Sequence, residues 1–275
     1  MRHTYTIFVF LLLAVLSTSF SAEQTTVSIP SASMKKSFRA LIVIPTEYKN
    51  LRQRFPVVYL LHGYSGDYTT WSRIVPLESY SDSYHCIIVC PDGNFNSWYV
   101  NSPIKQDMKF DTYVVDEVVS YVDSAYRTWP EADGRAIIGT SMGGHGALTL
   151  LARHPDRFCG AGSISGIMDL SEFPREWDIA AVLGNFQDHA DQWKNYSFLT
   201  LCENLKGKNK GLILDCGMSD FALPGNVRTH DKLISLSIPH DFYQRPGTHS
   251  PLYVRDAAEF HFLYFSKRLK KPGTK

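Results

Sequence analysis

The chain has 275 residues, 44% of them hydrophobic and 20% charged, a size and composition that can bury one large core in a single domain. Lysine plus arginine number 28 and aspartate plus glutamate 27, so no global field exists to steer nucleic acid or an anionic membrane toward it. The basic tail Lys267-Arg268-Leu269-Lys270-Lys271 reads as a solvated helix end.

At the N-terminus, Arg2 precedes an apolar run from Ile7 to Leu16, which is followed by the small, polar Ser17-Thr18-Ser19-Phe20-Ser21-Ala22. That order predicts a cleaved signal peptide over residues 1–21, with Ser19 and Ser21 at the small-residue positions before the cut. The run is about half the ~20 residues needed to span a bilayer, so no membrane insertion is expected after cleavage. No cysteine lies near the cut, which argues against a lipid-modified N-terminus. The expected product is one α/β domain over residues 22–275, secreted or periplasmic.

Beyond the leader, short β-branched runs alternate with longer segments of helical period, the pattern of a mostly parallel sheet covered by helices on both faces. Candidate strands are Phe38–Ile44, Val57–Leu61, Cys86–Val89, Arg135–Ile138, Cys159–Ile164, Gly211–Leu214 and Asp241–Gln244. Val114, Val118, Tyr121, Val122 and Ala125 recur at three- and four-residue steps, predicting a crossover helix that starts near Asp111 or Thr112. The stretch from Met168 to Lys210 has no strand period but holds Phe173, Trp177, Phe186, Trp193, Tyr196 and Phe198. It reads as an excursion from the sheet that roofs a pocket.

The five cysteines, Cys86, Cys90, Cys159, Cys202 and Cys216, permit up to two disulfides but are not spaced as a disulfide scaffold. Cys86 and Cys90 flank a strand, and four residues of strand rise separate them by ~13 Å. That is too far for a mutual disulfide or a shared zinc, so buried thiols are expected.

In such sheets, reactive groups gather where loops leave the carboxyl ends of the strands. Gly139-Thr140-Ser141-Met142-Gly143 follows a strand candidate and precedes a run that can open a helix, the strand, sharp turn, helix context in which Ser141 becomes a nucleophile. Gly139 and Gly143 supply clearance where strand and helix nearly touch, and the helix N-terminus favours an oxyanion. Met142 offers one backbone donor to that oxyanion. Tyr64, in the His62-Gly63-Tyr64-Ser65-Gly66 turn after Val57–Leu61, is the candidate for the second. The base must pivot on a loop after the last strand, which selects His249 in Pro246-Gly247-Thr248-His249-Ser250. His62 is read as orienting the oxyanion turn, and His145, His240 and His261 as structural. A carboxylate should follow the penultimate strand, and Asp215 and Asp220 both qualify on pattern alone.

Taken together, Gly-Thr-Ser-Met-Gly-Gly at 139–144, Leu60-Leu61-His62-Gly63-Tyr64, Trp71, Cys216-Gly217-Met218-Ser219-Asp220 and Pro-Gly-Thr-His at 246–249 resemble carbohydrate esterase family 1. This is the esterase D-like group of the α/β-hydrolase superfamily, which includes feruloyl and acetylxylan esterases, S-formylglutathione hydrolases and mycolyltransferases. The resemblance runs from about Ser37 to Tyr264. It implies an α/β-hydrolase fold in three αβα layers and assigns the acid to Asp220, which follows the Cys-Gly step. It further implies a Ser141–His249–Asp220 triad working through an acyl-enzyme, with no metal or organic cofactor. Trp98 and Tyr99, in Trp98-Tyr99-Val100-Asn101-Ser102-Pro103, are read as acyl-pocket walls or as loop anchors. Ser250-Pro251-Leu252-Tyr253-Val254 departs from the family, lacking the tryptophan often found after the base. The leader argues against the cytosolic formylglutathione role. The expected substrate is a small-molecule or polysaccharide ester, best an acetyl or feruloyl ester of a carbohydrate. The rivals are an acyltransferase using the same triad and an inactive carbohydrate-binding protein.

Overall fold

The structure, a computed structural model, describes residues 22–271. The expected signal peptide lies outside the described residues. Eight strands form one sheet: β1 (Glu23–Ser31), β2 (Lys36–Ile44), β3 (Val57–Leu61), β4 (Ile87–Pro91), β5 (Arg135–Thr140), β6 (Gly160–Ile164), β7 (Gly211–Gly217) and β8 (Asp241–Arg245). Their spatial order is β1-β2-β4-β3-β5-β6-β7-β8. β1 and β2 pair antiparallel, as do β2 and β4, and every pairing from β4 through to β8 is parallel.

The central strands are buried on both faces and mostly apolar, β3 and β4 throughout, with Arg135, Thr140, Ser163 and Asp215 as polar positions on β5 to β7. On β3, Val57, Tyr59 and Leu61 enter one core, and Val58 and Leu60 the other. Cys86, Ile88 and Cys90 share the second core while Ile87 and Val89 face the first. The first core is closed by the Met142–Arg153 helix, the crossover helix and the Met168–Lys210 excursion; the second by Trp71, Leu77 and the Pro251–Ser266 helix. This is the three-layer α/β-hydrolase arrangement. All five cysteines are free and buried. Among the described residues no helix is long and apolar enough to cross a membrane.

Two departures from the sequence reading are local. β1 was not expected, because Glu23–Ser31 is an edge strand whose side chains are exposed except near Ile29 and Ser31. Such a strand carries little period-two apolar signal. The crossover helix starts at Phe110–Thr112, takes a π-helical turn over Tyr113–Val118 and continues as Val119–Ala125. The wider turn rotates the apolar face, burying Tyr113, Val115 and Val119 beside Val114, Val118 and Val122, and leaving Ala125 exposed.

Two histidines are held neutral inside these layers, with burial pushing His145 down to about 4 and His261 down to about 3. The unfolded chain protonates both near the ordinary ~6.5, so it gains protons first as pH falls. Their contribution to stability is therefore complete above that value and is lost as pH drops toward the folded values. Neither ring nitrogen of His261 has a hydrogen-bond partner. His261→Leu should flatten the fall in thermal midpoint between pH ~6.5 and ~4, without lowering the midpoint at neutral pH. An unchanged acid slope in a pH series of melts would show that His261 does not carry this sensitivity.

Candidate active site

Ser141 stands at the carboxyl end of β5 and caps the Met142–Arg153 helix, with φ 55° and ψ −118°. A non-glycine residue keeps so strained a conformation only where its surroundings enforce it. The Ser141 N–H donates to the Ile164 carbonyl at 3.0 Å, and the Ser141 carbonyl accepts from His145 N–H at 3.0 Å. Strand, turn and helix meet so closely that a Cβ on Gly139 would lie 1.9 Å from the Gly143 oxygen. One on Gly143 would lie 2.2 Å from the Leu61 oxygen.

His249, on the loop after β8, places Nε2 3.0 Å from Ser141 Oγ. Its Nδ1 lies 3.0 Å from each oxygen of Asp220. An ionised carboxylate has no proton to give, so Nδ1–H is the donor and Nε2 is left bare to accept from Ser141 O–H. Asp220 has its side chain fully buried while that of His249 is 26% exposed, so the acid is shielded and the base is reachable. Burial alone would raise the Asp220 pKa. Hydrogen bonds from His249 and from the Ala222 N–H outweigh it and hold the carboxyl below its ordinary range.

Asp215 stands elsewhere. It is fully buried within β7, where it accepts from the Arg245 guanidinium and the Tyr253 hydroxyl, and burial raises its pKa. Of the two carboxylates that the spacing left open, the structure thus brings Asp220 to His249 and ties Asp215 to the β8 and Pro251–Ser266 side chains.

The turn after β3 is built around His62. Its buried ring is kept neutral, with Nδ1–H donating to the Gly63 carbonyl at 2.8 Å and Nε2 accepting from Gly93 N–H at 2.8 Å. Trp71 Nε1 donates to the Leu61 carbonyl at 3.0 Å, which fixes the strand end that feeds the turn. A Cβ on Gly63 would sit 3.3 Å from Ser141 Cβ, so the turn runs against the serine. Among the described residues neither Tyr64 N–H nor Met142 N–H has a protein acceptor, which leaves both free to meet an oxyanion.

A cavity of ≈ 310 Å³ opens at Ser141 and His249. Part of its lining is aliphatic, from Ile74, Pro251 and Val254; the rest includes Trp98, Trp177 and Phe221. Phe221 lies over the His249 ring at 4.5 Å between centroids and stacks on Trp177 at 5.4 Å. Trp98 donates from Nε1 to the Trp177 carbonyl at 3.1 Å. Tyr99 does not line the cavity, which corrects its reading as a pocket wall. Its ring is fully buried against Gly93 and Gly146, and its hydroxyl donates to the His62 carbonyl at 3.1 Å. These contacts make Tyr99 a loop anchor. Among the described residues no cluster of three or more His, Cys, Asp or Glu side chains is placed to hold a metal ion.

A family model described as putative esterase matches residues 31–236. The chain belongs to this putative esterase family. Esterase Rv1288 of Mycobacterium tuberculosis (strain ATCC 25618 / H37Rv) is 26% identical over 237 residues, which cover 76% of this chain and 51% of that protein. The chain therefore spans about half the length of this curated relative. An acetyl esterase of Caldicellulosiruptor saccharolyticus is 26% identical over 218 residues, covering 71% of this chain and 80% of that one. A solved ferulic acid esterase superposes with a TM-score of 0.77 at 23% identity, covering 91% of this chain and all of that one. That likeness is one of fold.

In this putative esterase, Phe221 and Ile74 are pocket residues with no advance signal, and Phe221 is the one that meets the base. It is distinguished in the sequence only by following Asp220, yet that adjacency carries its ring onto His249. Trp177 belonged to the aromatic excursion expected to roof a pocket, and it does line the cavity. Trp193 and Phe198, from the same stretch, are fully buried in the core instead.

Proposed function

We propose that the chain is an exported serine carboxylic-ester hydrolase acting through Ser141, His249 and Asp220. The observation that carries this reading is the unbroken run of 3.0 Å contacts from Ser141 Oγ through His249 to Asp220, starting on a strained serine at the sheet's carboxyl edge. His249 Nε2 accepts the Ser141 proton as Oγ attacks the ester carbonyl, and the Tyr64 and Met142 N–H groups hold the developing oxyanion. Asp220 stabilises the imidazolium, which passes its proton to the departing alcohol. The acyl-enzyme is then hydrolysed by water along the reverse path.

The cavity suits a small or planar acyl group, with aromatic rings on one part of its wall and Ile74, Pro251 and Val254 on another. Pro251 and Val254 stand after the base, where the resemblance would have had a tryptophan. An acetyl or hydroxycinnamoyl ester of a carbohydrate fits this lining and agrees with the names of the acetyl esterase and ferulic acid esterase relatives.

A fluorophosphonate probe applied to the periplasmic and medium fractions of producing cells should label a mature protein that begins at Ala22, with the adduct on Ser141 by peptide mass spectrometry. The same protein should hydrolyse p-nitrophenyl acetate, methyl ferulate or acetylated xylan, and should release acid as the main product when a competing alcohol is present. Folded protein that takes no label would sink the reading. Label confined to the cell interior would remove export, and predominant transfer to the alcohol would make the chain an acyltransferase.

A further inference from the structure

The excursion reaches the site as Trp177 and Asp178, and both residues hold left-handed backbone, with φ 51° and 54°. A non-glycine residue is strained in that conformation and keeps it only where neighbours hold it there. Three hydrogen bonds from other loops do so. Trp98 Nε1 donates to the Trp177 carbonyl at 3.1 Å, the Tyr64 hydroxyl donates to Asp178 Oδ2 at 2.8 Å, and Asn96 Nδ2 donates to the same oxygen at 3.3 Å. The hydrogen bond to Asp178, foremost, raises the Tyr64 phenol pKa, so the proton stays on the phenol side of the contact.

The second of these contacts joins two parts of the site. Tyr64 carries the phenol held by Asp178 and also one of the two N–H groups assigned to the oxyanion. Its ring packs edge-on against Phe95 at 4.9 Å, and the Ser65 N–H next to it donates to the Phe95 carbonyl at 2.8 Å. The His62 bonds fix the start of the turn at Gly63, the Gly66 N–H closes it by donating to the Gly63 carbonyl at 3.1 Å, and the Tyr64 side chain adds a hold from outside the turn.

We propose that Asp178 is a positioning residue for the oxyanion hole: its carboxylate grips the Tyr64 hydroxyl, sets the direction of the Tyr64 N–H, and couples the aromatic wall at Trp177 to the catalytic turn. The proposal rests on the serine-esterase reading above. A donor must stand ~2.7–3.1 Å from the oxyanion, so a small rotation of Tyr64 weakens the transition state far more than it weakens ester binding. The loss belongs in kcat, with KM nearly unchanged.

The test measures kcat and KM for p-nitrophenyl acetate on Asp178→Ala, Asp178→Asn, Tyr64→Phe and the double variant Tyr64→Phe/Asp178→Ala. Thermal midpoint and the final stoichiometry of fluorophosphonate labelling are recorded for each. Asp178→Ala should lower kcat about tenfold, with KM within about twofold. Asp178→Asn should stay within about threefold of wild type, because an amide oxygen still accepts the phenol proton. Tyr64→Phe should match Asp178→Ala, and the double variant should be no worse than either, the signature of one shared contact. Labelling should remain complete in every variant, showing Ser141 and His249 intact. Loss through KM alone, an Asp178→Asn as poor as the alanine, or additive losses in the double variant would overturn the proposal while leaving the esterase reading standing. A wild-type protein that neither labels nor turns over would remove both.

Discussion

Ser141→Ala should lower kcat for p-nitrophenyl acetate by about 10⁶-fold, with His249→Ala close behind, because serine and base act as one unit and the oxyanion donors alone sustain little turnover. Asp220→Asn should cost about 10⁴-fold in kcat: an asparagine oriented to accept from Nδ1–H cannot stabilise the imidazolium, and one oriented to donate imposes the wrong tautomer. Asp215→Asn should behave in the opposite sense. It touches no histidine, so kcat should stay within about tenfold of wild type. Asp215 is, however, the fully buried anion that accepts from Arg245 and Tyr253, and its removal leaves a guanidinium without its counter-charge. The Arg245 side chain is 25% exposed and can turn partly to water, so the expected loss is about 2–3 kcal/mol, below the range for a wholly buried pair. Urea midpoints and kcat measured on the same preparations check both halves. A larger kcat loss at Asp215 than at Asp220 would reassign the acid.

The two aspartates also show what the sequence could and could not say. Strand order and loop position made both residues candidates, since each follows the apolar Gly211–Leu214 run. What separates them is the partner each side chain meets, and Arg245, Tyr253 and His249 come from β8, the helix after it and the loop between. Contacts between such segments leave no mark in local pattern, so only the motif resemblance pointed to Asp220. The core strands were legible for a plain reason: β3 through β7 are buried on both faces, which forces short, mostly apolar runs. β1 was not legible because its exposed edge imposes no such demand. Trp98 and Tyr99 mark the limit at residue level. Side-chain direction at consecutive left-handed positions, φ 53° and 56°, follows from the turn and not from residue type, so one ring lines the cavity and the other anchors His62.

Gly143→Ala and Gly139→Ala should each remove most activity without touching a triad side chain. A Cβ on Gly143 would meet the Leu61 oxygen at 2.2 Å and the His62 oxygen at 2.6 Å, and one on Gly139 would meet the Gly143 oxygen at 1.9 Å. Ordinary contact begins near 3.4 Å, and each obstacle is backbone, which no rotamer change can clear. The strand, the helix N-terminus and the oxyanion turn must therefore part by on the order of 1 Å, which moves Met142 N–H and Tyr64 N–H relative to Ser141. A displacement of that size should cost about 10²-fold in kcat, and the forced repacking about 3 kcal/mol of stability. Gly207→Ala is the control, since Gly207 has φ 74° but nothing within 4 Å of the added carbon. It should lose about 1 kcal/mol from backbone conformation alone and keep its kcat. If Gly143→Ala instead matched Gly207→Ala in both measurements, the close approach of β3 to the helix would not be what sets the oxyanion geometry, and the hole would have to be held by the His62 and Asp178 bonds alone.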